Sequence, residues 1–158
     1  MHRLVIALSF TLAACGAPAP TDVPFTPTIT LEPGQSTLRV VVARQKVGKG
    51  PIFCDLFTSG TGFPGPSPII GGSQEHEAKE STVCVYERLP AGTFAMSVIQ
   101  DENANGTLDS NVFGVPTEGY GVSNNIIPAT EAPRWSDSVI TLDGTNPLEI
   151  TVTLSNSN

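Results

Sequence analysis

The feature that most constrains this chain is a two-residue alternation of apolar and polar side chains that recurs between residues 37 and 154. "TLRVVVA" puts Leu38, Val40 and Val42 on one face, and "PIFCDLF" does the same with Ile52, Cys54 and Leu56. "TFAMSVIQ" sets Phe94, Met96 and Val98 opposite Thr93, Ala95 and Ser97. Successive side chains of a strand point to opposite faces, so this period describes half-buried strands; no window carries a helical stripe of useful length. "TVCVYERL", "DSVITL" and "LEITVTL" add further runs rich in β-branched residues. Punctuated by 15 glycines and 14 prolines, these runs predict an all-β fold. The expected form is a single antiparallel β-sandwich, immunoglobulin-like or transthyretin-like, of about seven strands. Leu89-Pro90-Ala91-Gly92 has Pro and Gly where a type I turn wants them and is expected to join two antiparallel strands. Two connections are long. Residues 58–80 are polar and glycine-rich and are expected to be mobile, while 103–135 is too long to lack structure without a reason.

The N-terminus bears on location. Met1-His2-Arg3 precedes "LVIALSFTLAA", an apolar run too short to cross a bilayer, so residues 1–14 read as a signal peptide. The run ends in Leu12-Ala13-Ala14-Cys15-Gly16, the pattern of a bacterial lipobox, in which Cys15 is lipidated and becomes the new N-terminus. A plain secretory signal with an incidental cysteine is the alternative. Residues 15–34 are rich in Pro and Thr and suit an extended tether, leaving 35–158 as the sandwich domain. The expected location is the bacterial cell envelope, lipid-anchored, with Gly16 favouring the outer membrane, facing the periplasm or the surface.

Three cysteines in an exported chain leave an odd one over. With Cys15 carrying lipid, Cys54 and Cys84 remain as a pair able to form a disulfide in an oxidising compartment, worth about 3 kcal/mol in the chain-entropy model. Two buried free thiols are the alternative. Net charge is −7, and loss of Arg3 with the signal peptide makes the remainder more acidic still. Such a surface is ill-suited to phosphate backbones or anionic headgroups, so nucleic acid is excluded as a partner and membrane contact is expected through the lipid alone.

"DENANGTLD", residues 101–109, places side-chain oxygens at alternate positions around a glycine. Asp101, Asn103, Asn105, Thr107 and Asp109 match positions 1, 3, 5, 7 and 9 of a calcium loop, with Gly106 at the sharp turn and Thr107 offering its backbone carbonyl. Position 12 is Val112, so the usual bidentate glutamate is missing, and the flanks are strand; Glu118 is the candidate to replace it. An oxygen-only set suits Ca2+ rather than sulfur- or nitrogen-seeking metals. With so few carboxylates, binding is expected at roughly 10⁻⁴–10⁻³ M. The competing reading is a metal-free turn, since Asn, Asp and Gly are also what tight turns use.

The stretch "LPAGTFAMSVIQDENANGTLDSNVFGVPTEGYGVSNN" resembles the core signature of a bacterial family of exported small β-proteins known as domain of unknown function 2141. The shared pattern is a Leu-Pro-x-Gly-Thr-aromatic-Ala strand, an Asp-x-Asn-x-Asn-Gly loop ending in Asp, and Gly-x-Pro-x-Glu-Gly-Tyr-Gly-x-Ser. "APRWSDSVITL" and "LEITVTL" fit the family's closing strands. Many members carry His immediately before the loop's first Asp, where this chain has Gln100. A transition-metal role for that histidine therefore does not carry over. The resemblance implies a sandwich outside the cytoplasm and implies no enzymatic activity.

Other chemistry is sparse. His76 is the one histidine outside the signal peptide, flanked by Glu75 and Glu77 with no serine elbow nearby, and it is expected to be a solvated loop residue. "EGYGVSNN" offers an aromatic face at Tyr120 and hydrogen-bonding groups at Ser123, Asn124 and Asn125, a set able to bind a glycan or a peptide. The plainer alternative is that Tyr120 packs on the loop. Trp135 is expected to anchor core or loop. The whole predicts a non-enzymatic, lipid-anchored envelope protein whose 101–125 loop presents a surface to an envelope protein or glycan. The alternative is a purely structural lipoprotein.

Overall fold

The computed structural model describes residues 34–65 and 70–155; the expected signal peptide, Cys15 and nearly all of the expected tether lie outside them. The strands are β1 (Ser36–Ala43), β2 (Pro51–Phe57), β3 (Ile70–Glu77), β4 (Thr82–Leu89), β5 (Gly92–Gln100), β6 (Gly119–Val122), β7 (Ile140–Leu142) and β8 (Leu148–Thr153). Among the described residues, a 3-10 turn, Ser123–Asn125, and a short helix, α1 (Trp135–Ser138), complete the regular structure. The strands form two sheets, one in the order β4-β1-β8 and the other β3-β2-β5-β6, with β7 also paired to β5.

The period-two pattern explains the layering. Leu38, Val40 and Val42 from β1 meet Ile52, Cys54 and Leu56 from β2 and Phe94, Met96 and Val98 from β5, all nearly or fully buried in one core. Cys54 and Cys84 are bonded across the two sheets, with Cα atoms 6.5 Å apart. The core edge is tied again where the Tyr86 hydroxyl donates to the Cys54 carbonyl at 2.6 Å. Burial, with the nearby Asp55 charge adding to it, raises the Tyr86 phenol well above its usual range, so it stays a neutral donor.

Three expectations need correction. The chain between residues 58 and 80 is not one mobile loop, because 70–77 form β3, paired antiparallel to β2 with Phe53 opposite Glu75 and Ile52 opposite His76. Its polar side chains suit an edge strand, where charge discourages pairing with another chain. The Leu89–Gly92 turn does not join hydrogen-bonded neighbours; it carries the chain from one sheet to the other. The sandwich is not wholly antiparallel, since β1 pairs β8 in parallel, Val40 beside Ile150. The eight strands among the described residues agree with the expected all-β sandwich of about seven.

The topology separates two ends of the sandwich. At one end, Ser36 pairs with Leu89, and its hydroxyl approaches Asp143 in the β7–β8 turn at 3.5 Å. β1 and β5 both run away from that end. At the other, the turn after β1 meets the end of β5, where the Gln100 side chain accepts from Lys46 N at 2.8 Å and donates to Lys49 O at 2.8 Å. Gln100, fully buried, is thus an internal staple.

Candidate functional site

Residues 101–118 leave this second end as a loop that closes on its own hydrogen bonds. Asp101 is 1% exposed; one carboxylate oxygen accepts from Asn105 N at 3.1 Å and the other from Gly106 N at 2.7 Å. Asn103 and Asn105 each bend back in an Asx turn, accepting Asn105 N and Thr107 N, while both amide nitrogens donate to Asp109 Oδ2, at 2.7 and 3.0 Å. Glu118, 5% exposed, returns as its spacing suggested. One oxygen takes Glu102 N and the other Asp109 N, both at 2.9 Å. The structure therefore brings Asp101, Asn103, Asn105, Thr107, Asp109 and Glu118 into one arc in which Asp101 and Glu118 cap backbone N–H groups and Asp109 accepts the two asparagine amides. The Asp101 and Glu118 oxygens each keep a second lone pair that could face a hard cation, whereas Asp109 Oδ2 and Asn105 Oδ1 already accept two hydrogen bonds each.

The second predicted group is placed differently. Ser123 is fully buried between β6 and β7: it accepts Met96 N at 3.0 Å and donates to Ser138 O, filling the break where β5 passes from one partner strand to the other. The Asn124 amide donates to Asp137 O and Val139 O, both at 3.0 Å. Asn125 donates to Thr151 O at 2.9 Å and accepts Thr153 N at 2.7 Å. Positive φ at both asparagines, +64° and +57°, suits a residue type that tolerates left-handed backbone. These three side chains staple the sandwich together and Ser123 presents no surface. Asn124 and Asn125 are exposed at the surface, but Tyr120 alone of the four lines a cleft, and partial burial raises its phenol.

That space is a cleft of about 770 Å³ on the outer face of the β5–β6 sheet, walled by Leu108, Val115, Pro116, Tyr120, Ile127 and Pro128, with Ser97 at its floor. Ser97 is 3% exposed and its hydroxyl has no hydrogen-bond partner. Asp55, opposite Ser97 in register, is also buried with one oxygen unpartnered; burial raises its carboxyl, countered in part by a hydrogen bond from Ser73. Over the cleft stands a hairpin that sequence reasoning did not single out. Asn111 Oδ1 accepts Phe113 N and Val115 N, at 2.9 and 3.1 Å, and a bridge pairs Ser110 with Pro116. Held on this frame, Val112 and Phe113 are 93% and 87% exposed. The signal for them was present in "NVFGVP", an apolar pair between turn residues.

Trp135 anchors the loop before β3, stacking edge-on against Phe63, which in turn packs edge-on against Phe57, at 5.9 and 5.2 Å between ring centres. His76, expected in a solvated loop, instead sits on β3, its Nε2 3.3 Å from Gln74 Oε1.

No curated protein and no solved structure matches the chain. The family model described as an uncharacterized protein conserved in bacteria, DUF2141, matches residues 40–150, from within β1 to within β8 and across the whole 101–125 loop. The sandwich and its loop together make this chain a member of the DUF2141 family.

Proposed function

We propose that this is a non-enzymatic envelope protein, lipid-anchored through Cys15, that binds a partner with its 101–125 loop. The observation that carries the reading is the cleft: an apolar-walled space with a buried, unpartnered hydroxyl at its floor, Phe113 at its rim and Val112 exposed beside it. Soluble monomers seldom hold adjacent large apolar groups in water without a use for them. The layout agrees with anchoring. The chain enters the domain at Ser36, at the end opposite the base of the loop, so a tether from the membrane would leave the loop facing outward. A protein fits an apolar hairpin better than a glycan does, since sugars ask for more hydrogen-bonding groups than Val112 and Phe113 supply.

A photo-crosslinking residue at Phe113, in intact cells, is expected to give a discrete adduct, whereas one at Val85, exposed on the far sheet, gives none. Adducts at neither position would favour the purely structural reading, for which the internal bonding of Ser123, Asn124 and Asn125 speaks.

Calcium enters the same proposal as a brace for a loop already ordered by hydrogen bonds. Asp101, Asn103, Asn105, Asp109, Glu118 and the Thr107 carbonyl would hold it. The melting temperature of the domain should then rise with the logarithm of Ca2+ once Kd is passed, with about 2–3 kcal/mol of stabilisation at a hundredfold excess over Kd. Equal Mg2+ should do less. A flat response up to about 10 mM, beyond the weak range of extracellular sites, would leave the loop a metal-free turn.

A further inference from the structure

We propose that Cys54, Cys84 and His76 form a latent site for a thiophilic d10 cation, Zn2+ or Cu+, which opens when the disulfide is reduced. The two sulfurs and an imidazole nitrogen lie within 4.8 Å of one another. Three strands hold them: Cys54 on β2, His76 on its neighbour β3, and Cys84 on β4 of the facing sheet. β3 and β4 are both edge strands, so the cluster sits at a rim of the sandwich, with both cysteines fully buried and His76 partly exposed at its mouth. A groove of about 500 Å³ lined by Gly48, Gly50, Pro51, His76 and Ala78 gives an approach from solvent.

One nitrogen of the imidazole is held by a neighbour. Gln74 Nε2 donates to Val85 O on β4 at 2.9 Å, which turns the Gln74 carbonyl oxygen toward His76. That oxygen can only accept, so His76 Nε2 carries the proton and Nδ1 keeps a free lone pair. A ligating histidine typically has its second nitrogen fixed in this way by a carbonyl or carboxylate. Two thiolates and one imidazole are donors that zinc and cuprous ions favour, and three protein ligands leave Zn2+ a fourth position for water.

The switch balances as follows. A dithiol reductant delivers two electrons and two protons to the Cys54–Cys84 bond and leaves as its own disulfide. The cation then displaces the two thiol protons and binds two thiolates and the neutral imidazole. β2 and β4 remain cross-linked, through a bound metal rather than through a disulfide, and His76 adds β3 to the link.

The test uses residues 15–158 with Cys15→Ser, so that no third thiol competes. The protein is reduced with dithiothreitol, freed of it under argon and titrated with Co2+, then with Zn2+ and, in a separate arm, with Cu+ against a competing chelator. One equivalent of Co2+ should raise a thiolate-to-metal charge-transfer band that Zn2+ abolishes, and the oxidised protein should show none. His76→Ala should weaken binding by at least about tenfold, and Gln74→Ala by about 10- to 100-fold. Absence of the band, or tight binding that His76→Ala leaves unchanged, would overturn the site. So would a reduced protein that circular dichroism finds unfolded both with and without metal.

Discussion

Gly50→Ala should melt roughly 10–15 °C below the parent protein, a loss of about 3–5 kcal/mol, among the largest expected of any single substitution in this fold. Gly50 has a φ of +61°, and a Cβ there would lie 1.7 Å from the Asp101 carbonyl oxygen and 2.8 Å from its carbon. Left-handed backbone alone costs an L residue about 1–2 kcal/mol. The clash is worse because the obstacle is backbone, which cannot rotate aside. Asp101 N donates to Pro51 O at 3.0 Å, and the Asp101 carboxylate holds Asn105 N and Gly106 N. Pushing Asp101 away therefore loosens the whole 101–118 loop along with the end of β5. Gly48→Ala separates the two contributions: its φ is +71° but nothing lies within 4 Å of the added Cβ. It should cost only about 1–2 kcal/mol in thermal melts. Equal losses for the two variants would show that Gly50 is not pressed against Asp101.

The second large effect is loss of the cross-link. Replacing both Cys54 and Cys84 with Ala should lower stability by about 3–4 kcal/mol and the melting temperature by roughly 10 °C. The bond closes a loop spanning a sequence separation of 30 residues, so its removal gives the unfolded chain much freedom. Both side chains are fully buried in the core, and the lost sulfurs add a cavity cost. Reductant should bring the parent protein, in the absence of metal, close to the melting temperature of the double variant and leave the variant itself unmoved. A parent protein insensitive to reductant would mean that the core alone holds β2 to β4.

Much of this was legible because the physics is local. Alternation in "TLRVVVA" and "TFAMSVIQ" follows directly from one buried face per strand, and the lone pair of cysteines outside the signal region had one partner each. The return of Glu118 was legible because an arc of oxygens with a missing member implies a carboxylate nearby. β3 was not, since "IGGSQEHE" has almost no β-branched or aromatic residue. Its extended form comes from pairing with β2, a tertiary cause that no window of sequence contains. "VSNN" misled for a related reason. Polar side chains look available for a ligand until the fold supplies the backbone groups that use them, here Met96 N, Asp137 O, Val139 O, Thr151 O and Thr153 N. The Val112–Phe113 hairpin escaped because apolar residues are expected inside, and only the surrounding Asx turn at Asn111 shows them held outward.

The central position of β1 has a mechanical consequence. In an anchored protein gripped at its loop, pull would enter at Ser36 and leave near Asp101, along the length of β1. That strand is hydrogen-bonded on both sides, to β4 from Ser36 to Val42 and to β8 from Leu38 to Ala43. Tension along it loads both ladders in shear, so their bonds must yield together instead of unzipping one by one. The parallel β8, arriving last in the chain, thus acts as a clasp on the strand that would bear the load.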